Sequence, residues 1–422
     1  MPDYKRKKVK KSFKHKKLRT NENNDIVMRN KNDKASDAVT KNDIKVVRGS
    51  KYNRQRRRNA FLSFVAVVAV IYIVLSILLP VSLYESLVNF TSLMGHGSYP
   101  AEVHGSTVLN TVSNGSYYYV LTDTNITAYS NSGKTVLNDM HGFSNPVMTV
   151  SSTRVLVYDQ GGRTVYVYNL GGKIHTVETE NDIITAGISR CGAFVLATHS
   201  ESYTSVANVY DKNGKQIYTW NSAKDIINNV LLNPEGNRLA VTTLNAVSGQ
   251  YSSRMMILDF ESADPLHTAE LGSSIALSLE NTGKGVSVIS TDKYKFIHWS
   301  KFTSNEISAS GEINILRRSK NGLLLVFNRA NDRSDNTVVL ISKKGEKSKE
   351  FKINNIITDI QYAKSRIYYV SDTSVNILNR DGESLGYGNC NYGTQKFAVI
   401  ASNSVATVSD SEITKINIEK GE

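Results

Sequence analysis

Cysteine is nearly absent from this chain of 422 residues: Cys191 and Cys390 are the two present, with no CxxC pair. That excludes a disulfide framework and a cysteine-rich zinc site, so the fold must be held by packing. The sequence also lacks the short motifs of common chemistries: no G-x-S-x-G, no H-E-x-x-H, no Walker loop and no G-x-G-x-x-G. Without them no hydrolase elbow, zinc peptidase, nucleotide-phosphate cradle or dinucleotide fold is signalled. His104, His141, His175, His199, His267 and His298 stand singly along the chain, a spacing suited to structural roles. No metal and no cofactor is expected.

Charge is present but unevenly placed. Residues 1–58 hold 21 Lys and Arg against 6 Asp and Glu, which leaves 30 basic and 32 acidic residues for the remainder of the totals of 51 and 38. The basic excess therefore belongs to a tail, and the larger part is nearly neutral. The tail, "KRKKVKKSFKHKK" followed by Asn-, Asp- and Lys-rich sequence, has too little apolar content for a core and is expected to be disordered. Only Tyr4 and Phe13 interrupt its first basic run, so a nucleic-acid partner is not expected; charge that sets topology and attracts anionic lipid is the preferred reading.

One long hydrophobic run exists. Ala60–Leu79 is 20 residues without a charge, closed by Pro80. At about 1.5 Å per residue it reaches roughly 30 Å, a bilayer's apolar thickness. It exceeds the core of a cleaved signal peptide and no small-residue cleavage site follows, so a signal-anchor helix over 59–80 is expected. "KYNRQRRRN" before it carries five Lys and Arg, whereas "VSLYESLVNF" after it carries only Glu85. This asymmetry puts the N-terminus in the cytoplasm and the C-terminal part outside. The lipid bilayer is thus the first expected partner, and 81–97 reads as a stalk.

Past residue 98 short β-rich runs alternate with turns, and a unit recurs: "YSNSGK", "YNLGGK", "YDKNGK", "ISKKGE", "LNRDGE" and a shortened "IEKGE". Their glycines, at 133, 172, 214, 345, 382 and 421, are 37–42 apart except for one gap of 131, room for two less regular copies. Before each hairpin stands a strand-like run such as "YYYVL", "VLVY", "AFVLAT" or "RIYYV". Four strands per copy of about 40 residues, with no helical periodicity, indicates an all-β fold, a β-propeller over 98–422. Eight blades are favoured and seven remain possible. The last copy is one strand short, and "YPAEVHG" at Tyr99–Gly105 is free to supply it, closing the ring.

"NPEGNRLAVTT" at Asn233–Thr243 resembles the WD40-like repeat of periplasmic propellers, with Glu235 where an Asp is usual, and the "YDKNGK" turns are similar to those of quinoprotein-like propellers. The layout of basic tail, single helix and degenerate propeller resembles an uncharacterised family of membrane-anchored proteins of low-GC Gram-positive bacteria. That resemblance implies a fold and a location and carries no activity. A quinone-dependent dehydrogenase would offer a stacking Trp; Trp220 and Trp299 sit at strand ends and read as core anchors.

Three hairpins are enlarged: "THSESYTS", "NAVSGQYSS" and "NRANDRSDN". Binding residues gather on such loops. Gln250 and Tyr251 on one, and Arg329, Asp332, Arg333 and Asp335 on another, are the candidate partner-binding residues. The function expected is an extracytoplasmic scaffold of the cell envelope that binds a protein or a glycan. The alternative is an enzyme acting on an envelope polymer or small substrate through channel residues.

Overall fold

The computed structural model describes residues 50–78, 81–247, 249–308, 311–329 and 332–420, with three two-residue strands earlier in the chain, Arg19–Thr20, Ile26–Val27 and Val46–Val47, which pair as one small sheet. The disordered-tail reading of 1–58 otherwise lies mostly outside the described residues. Two compact units result, Met1–Leu78 and Leu79–Glu422. The first contains helix α1, Ser50–Leu78. Part of the apolar run Ala60–Leu79 falls where side chains are not described; among the described residues no helix is long and apolar enough to cross a membrane.

The second unit is an all-β propeller of eight blades, each an antiparallel four-stranded sheet in simple meander order. Blades 1 to 7 span 108–140, 146–178, 183–222, 226–272, 276–308, 312–354 and 359–389. Blade 8 joins Lys396–Ala401, Ser404–Val408 and Glu412–Asn417 to a fourth strand from the other end of the chain, Ala101–Glu102, with Ile413 opposite Ala101 and Glu412 opposite Glu102. The expected closure is therefore the one found. The final strand, Glu419–Lys420, then leaves blade 8 and adds to the outer edge of blade 7 beside Gly386 and Tyr387.

The second strand of each blade is the hydrophobic centre, as in Tyr117–Thr122, buried at every position. Both faces of such a strand meet a neighbouring blade, so it reads as a continuous apolar run rather than an alternating one. Eight apolar clusters fill the eight seams between successive blades, the last joining blade 8 to blade 1 through Val103, Val108, Tyr118, Val405's neighbour Ala406, Val408 and Ile413.

The recurring glycine has two jobs. Gly345 lies at φ +77° and Gly382 at φ +88°, where a side chain is strained. A Cβ at either would also run into a ring of the preceding blade, Phe296 for Gly345 and Phe351 for Gly382. The irregular copies lack this residue: in blade 5 Phe302 takes the left-handed conformation at φ 57°, held by stacking on His267 at 5.1 Å.

Ring closure rests on a two-residue strand, so the seam behind it must carry the load. Ile413→Ala, at a fully buried position there, is expected to cost about 2–5 kcal/mol. The check is a lowered urea midpoint at unchanged slope; a midpoint like that of the parent would show that closure does not depend on this seam.

Candidate functional site

Antiparallel strands divide the turns of every blade between two faces. Turns joining first to second and third to fourth strands emerge on one side; those joining second to third strands, and one blade to the next, emerge on the other. All three enlarged hairpins join second to third strands, in blades 3, 4 and 6, so they share one face.

In blade 4 the strands Arg238–Val247 and Gln250–Asp259 run on as a ladder of ten residues each, ending at Val247 opposite Gln250. Its base is braced by Asp225, 4% exposed in the loop entering the blade. That carboxylate accepts hydrogen bonds from Asn245 Nδ2 at 2.9 Å, Thr243 Oγ1 at 3.3 Å and the Arg254 guanidinium. Beside it lies a cavity of about 250 Å³ lined by Trp220, Asn221, Lys224, Arg254 and Met256 among others. In blade 6 the brace is Asn336, whose Nδ2 donates to the Asn355 carbonyl at 2.7 Å and the Arg333 carbonyl at 3.1 Å.

The candidate residues divide accordingly. Gln250 and Tyr251 are exposed at the tip of the blade 4 hairpin. Asp332 and Arg333 are exposed on the blade 6 hairpin, where the Asp332 carboxylate accepts the Ser334 amide at 2.9 Å, and Asp335 pairs with Lys352 at 3.0 Å. Arg329 ends the preceding strand and its side chain lies outside the described residues. Blade 5 separates the two sets, so they share a face without forming one cluster. The sequence did not single out Tyr203, on the blade 3 hairpin next to blade 4, or Tyr392, in the loop between blades 7 and 8. They are 43% and 87% exposed and share the face with Tyr251 at 54%.

The opposite face is occupied. The segment read as a stalk holds helix α2, Val81–Ser92, which packs on the turns of blades 1 to 3. Glu85, 2% exposed, accepts hydrogen bonds from Arg154 Nε at 2.6 Å and Thr153 Oγ1 at 2.7 Å. Arg154 also donates through Nη1 to the carbonyls of Gly192 at 3.2 Å and Lys212 at 2.7 Å, tying blades 2 and 3 to the helix. Asn89 Oδ1 accepts the Leu170 amide at 3.4 Å, and Lys134 Nζ donates to the Ser92 carbonyl at 3.0 Å, satisfying an end of the helix.

Next to α2 a groove of about 460 Å³ runs between Val136–Asp139 and Leu170–Lys173. Lys173 Nζ lies 3.0 Å from Asp139 and 3.7 Å from the centre of the Tyr166 ring, which stacks on Phe143 at 4.8 Å and through it on His141 at 5.3 Å. His141 is fixed at both nitrogens: Nε2 is 3.1 Å from the Thr122 carbonyl and Nδ1 accepts the Phe143 amide at 3.1 Å. The other candidates for chemistry are similarly absorbed. Arg317 pairs with Asp359 at 2.5 Å between blades 6 and 7, and Trp299 is buried with Nε1 donating to Asn281 at 3.1 Å. Among the described residues no three His, Cys, Asp or Glu gather as a metal site.

The fold and its turns define a WD40-like eight-bladed propeller. The chain belongs to a family of unknown function, DUF5711, whose model matches residues 89–418. It is similar in structure to the computationally designed protein Ika8, with TM-score 0.54 and 14% identity over 77% of this chain and 100% of that one. It is also similar to the C-terminal WD40 domain of Sif2, with TM-score 0.51 and 11% identity over 77% and 100%. No curated protein matches the chain.

The buried ion pair and the buried imidazole each give a prediction. Glu85→Ala strands the Arg154 guanidinium in a dry site and is expected to cost about 3–5 kcal/mol. The double variant Glu85→Leu/Arg154→Met should recover most of the loss in the same thermal unfolding measurement; a single variant as stable as the parent would show the pair to be dispensable. For His141, burial pushes the imidazole below its ordinary value, outweighing the Thr122 carbonyl and the carboxylates of Asp123, Asp159 and Asp139, which pull it upward. The unfolded chain therefore takes up this proton first, and the contribution is complete above about pH 6.5 and declines as pH falls toward the folded-state value. His141→Gln should flatten the stability profile below pH 6.5, and an unchanged profile would refute the assignment.

Proposed function

We propose that this protein is a membrane-anchored interaction module whose ring stands outside the cytoplasm and binds a protein partner through the hairpin face of blades 3, 4 and 6. The observation that carries the reading is the pairing of exposed side chains with rigid support. Tyr203 and Tyr251 project from adjacent blades; the Asp225 carboxylate braces the blade 4 ladder from below, and at the base of the blade 3 hairpin Ser205 Oγ donates to the Asp225 carbonyl at 3.1 Å. Exposed tyrosines held on a stiff frame supply contact area at little entropic cost, which is why Tyr is enriched at interface centres. The anchor is the uncharged run Ala60–Leu79, and the five Lys and Arg in Lys51–Asn59 orient it with the N-terminus inside.

The test is crosslinking of the full chain on intact cells, with capture and mass spectrometry, comparing the parent with Tyr203→Ala/Tyr251→Ala. One saturable protein partner is expected, weakened at least about tenfold by the double substitution. Capture unaffected by the substitutions would remove the hairpin face from the reading. Recovery of glycan fragments instead of a protein would replace the partner class.

A further inference from the structure

Helix α2 is amphipathic in the unusual sense. Its inward side is polar, Glu85 and Asn89 being buried against the ring. Its outward side is apolar: Leu87 is 48% and Phe90 63% exposed, with Met94, in the turn that follows, 58% exposed. These three are spaced i, i+3 and i+7, so they form one stripe. An exposed stripe of this kind, opposite a fixed polar side, marks a surface that something apolar covers.

Two features say what covers it. The stripe begins eight residues after the apolar run Ala60–Leu79, which Pro80 closes, so α2 starts where the chain would leave a bilayer. The ring is also polarised in charge. On the α2 side the turns of blades 5 to 7 expose Lys284, Lys301, Lys320, Lys343, Lys344, Lys364 and Arg380 against Glu346, Asp381 and Glu383, a net basic arc, whereas the turns of blade 4 carry Glu235, Glu261 and Asp264. Turns of the opposite face carry Asp123, Glu180, Asp182, Glu201, Asp292 and Asp372 against Arg163 and Lys224. Apolar side chains over blades 1 to 3 and a net basic arc across the same face are the two elements with which a peripheral surface binds anionic lipid.

We propose that the α2 face is a lipid-contacting surface: Leu87, Phe90 and Met94 enter the interfacial zone of the bilayer, and the lysine turns of blades 5 to 7 meet anionic headgroups. The ring then lies flat on the membrane with its hairpins pointing away. This rests on the anchor reading above, and the experiment separates the two. The full chain, with Cys191→Ser and Cys390→Ala, is placed in nanodiscs of equal parts phosphatidylglycerol and phosphatidylcholine. Single fluorophores are attached through Phe90→Cys, Val68→Cys or Tyr251→Cys and quenched by nitroxide lipids of shallow or deep label.

The expected result is quenching at position 90 by the shallow label, at position 68 by the deep one and at position 251 by neither. Lys320→Glu/Lys343→Glu/Lys344→Glu/Lys364→Glu should lower quenching at position 90 several-fold, as should replacing the anionic lipid. Quenching at 68 but not at 90 would leave the anchor in place and overturn the flat orientation. Absence at 68 would remove the anchor, and the proposal with it. Quenching at 90 that ignores both charge changes would overturn the lysine–headgroup part. Crosslinking between copies through position 90, with no lipid quenching, would assign the stripe to a second copy of the chain and overturn the proposal.

Discussion

Everything in the ring depends on a closure made by two residues. A circular array of blades has no free edge only if the first and last meet, and here Ala101–Glu102 completes blade 8 against Glu412–Asn417. The hydrogen bonds in so short a pairing are few. What makes it hold is that it completes an eighth apolar seam, in which Val103 and Val108 from the start of the ring pack with Ala398, Val408 and Ile413 from its end. Each blade buries both faces against neighbours, so an open ring would expose two seam surfaces at once. The departure of Glu419–Lys420 to blade 7 follows from the same arrangement, since the place of the fourth strand in blade 8 is already filled.

Closure also fixes where α2 can be. Only Leu93 to Pro100 connect the helix to the closing strand, so the helix must lie near the seam of blades 8 and 1. It settles on blades 1 to 3. A buried charge is costly unless paired and fully hydrogen-bonded. Glu85 and Arg154 meet that condition with two acceptor contacts on the carboxylate and two carbonyls on the guanidinium. A purely apolar contact could slide; a bidentate arrangement reaching three separate turns sets one position for the helix.

The fold was legible where one residue type serves one geometric need. Glycine marks the third turn of most blades because φ is positive there and a neighbouring ring leaves no room for Cβ, as at Gly345 and Gly382. The same rule explains the gap. In blade 5 the left-handed position belongs to Phe302, whose strain is offset by stacking on His267, and no local pattern announces that. The closing strand was legible by elimination, since one copy lacked a strand and one segment lacked a copy. The docking of α2 was not. In "VSLYESLVNF" the lone Glu85 reads as the solvent side of a stalk, and only the guanidinium of Arg154, 69 positions on, turns it inward. Asp225 and Asn336 escaped notice for a similar reason: their partners come from the ladders they brace and from neighbouring loops. The exposed Gln250, Tyr251, Asp332 and Arg333 were found because loop length is visible in sequence; Tyr203 sits in the enlarged blade 3 hairpin without having been singled out there, and Tyr392 sits in a short loop between blades.

A meander in every blade imposes a division that the chain exploits. Since turns of one kind all emerge on one side, the composition of the two kinds can diverge without disturbing the seams between blades. The turns between third and fourth strands keep glycine and lysine, as in "NSGK", "KNGK" and "KKGE", while those between second and third strands take up Asp, Thr and Ser or lengthen into hairpins. Once α2 is pinned to the first kind by Glu85, its apolar side can only face away from the ring on the lysine-bearing side. The polarity of the molecule is therefore a consequence of strand order together with one buried ion pair, and the hairpin face is left clear because the helix has no route to it.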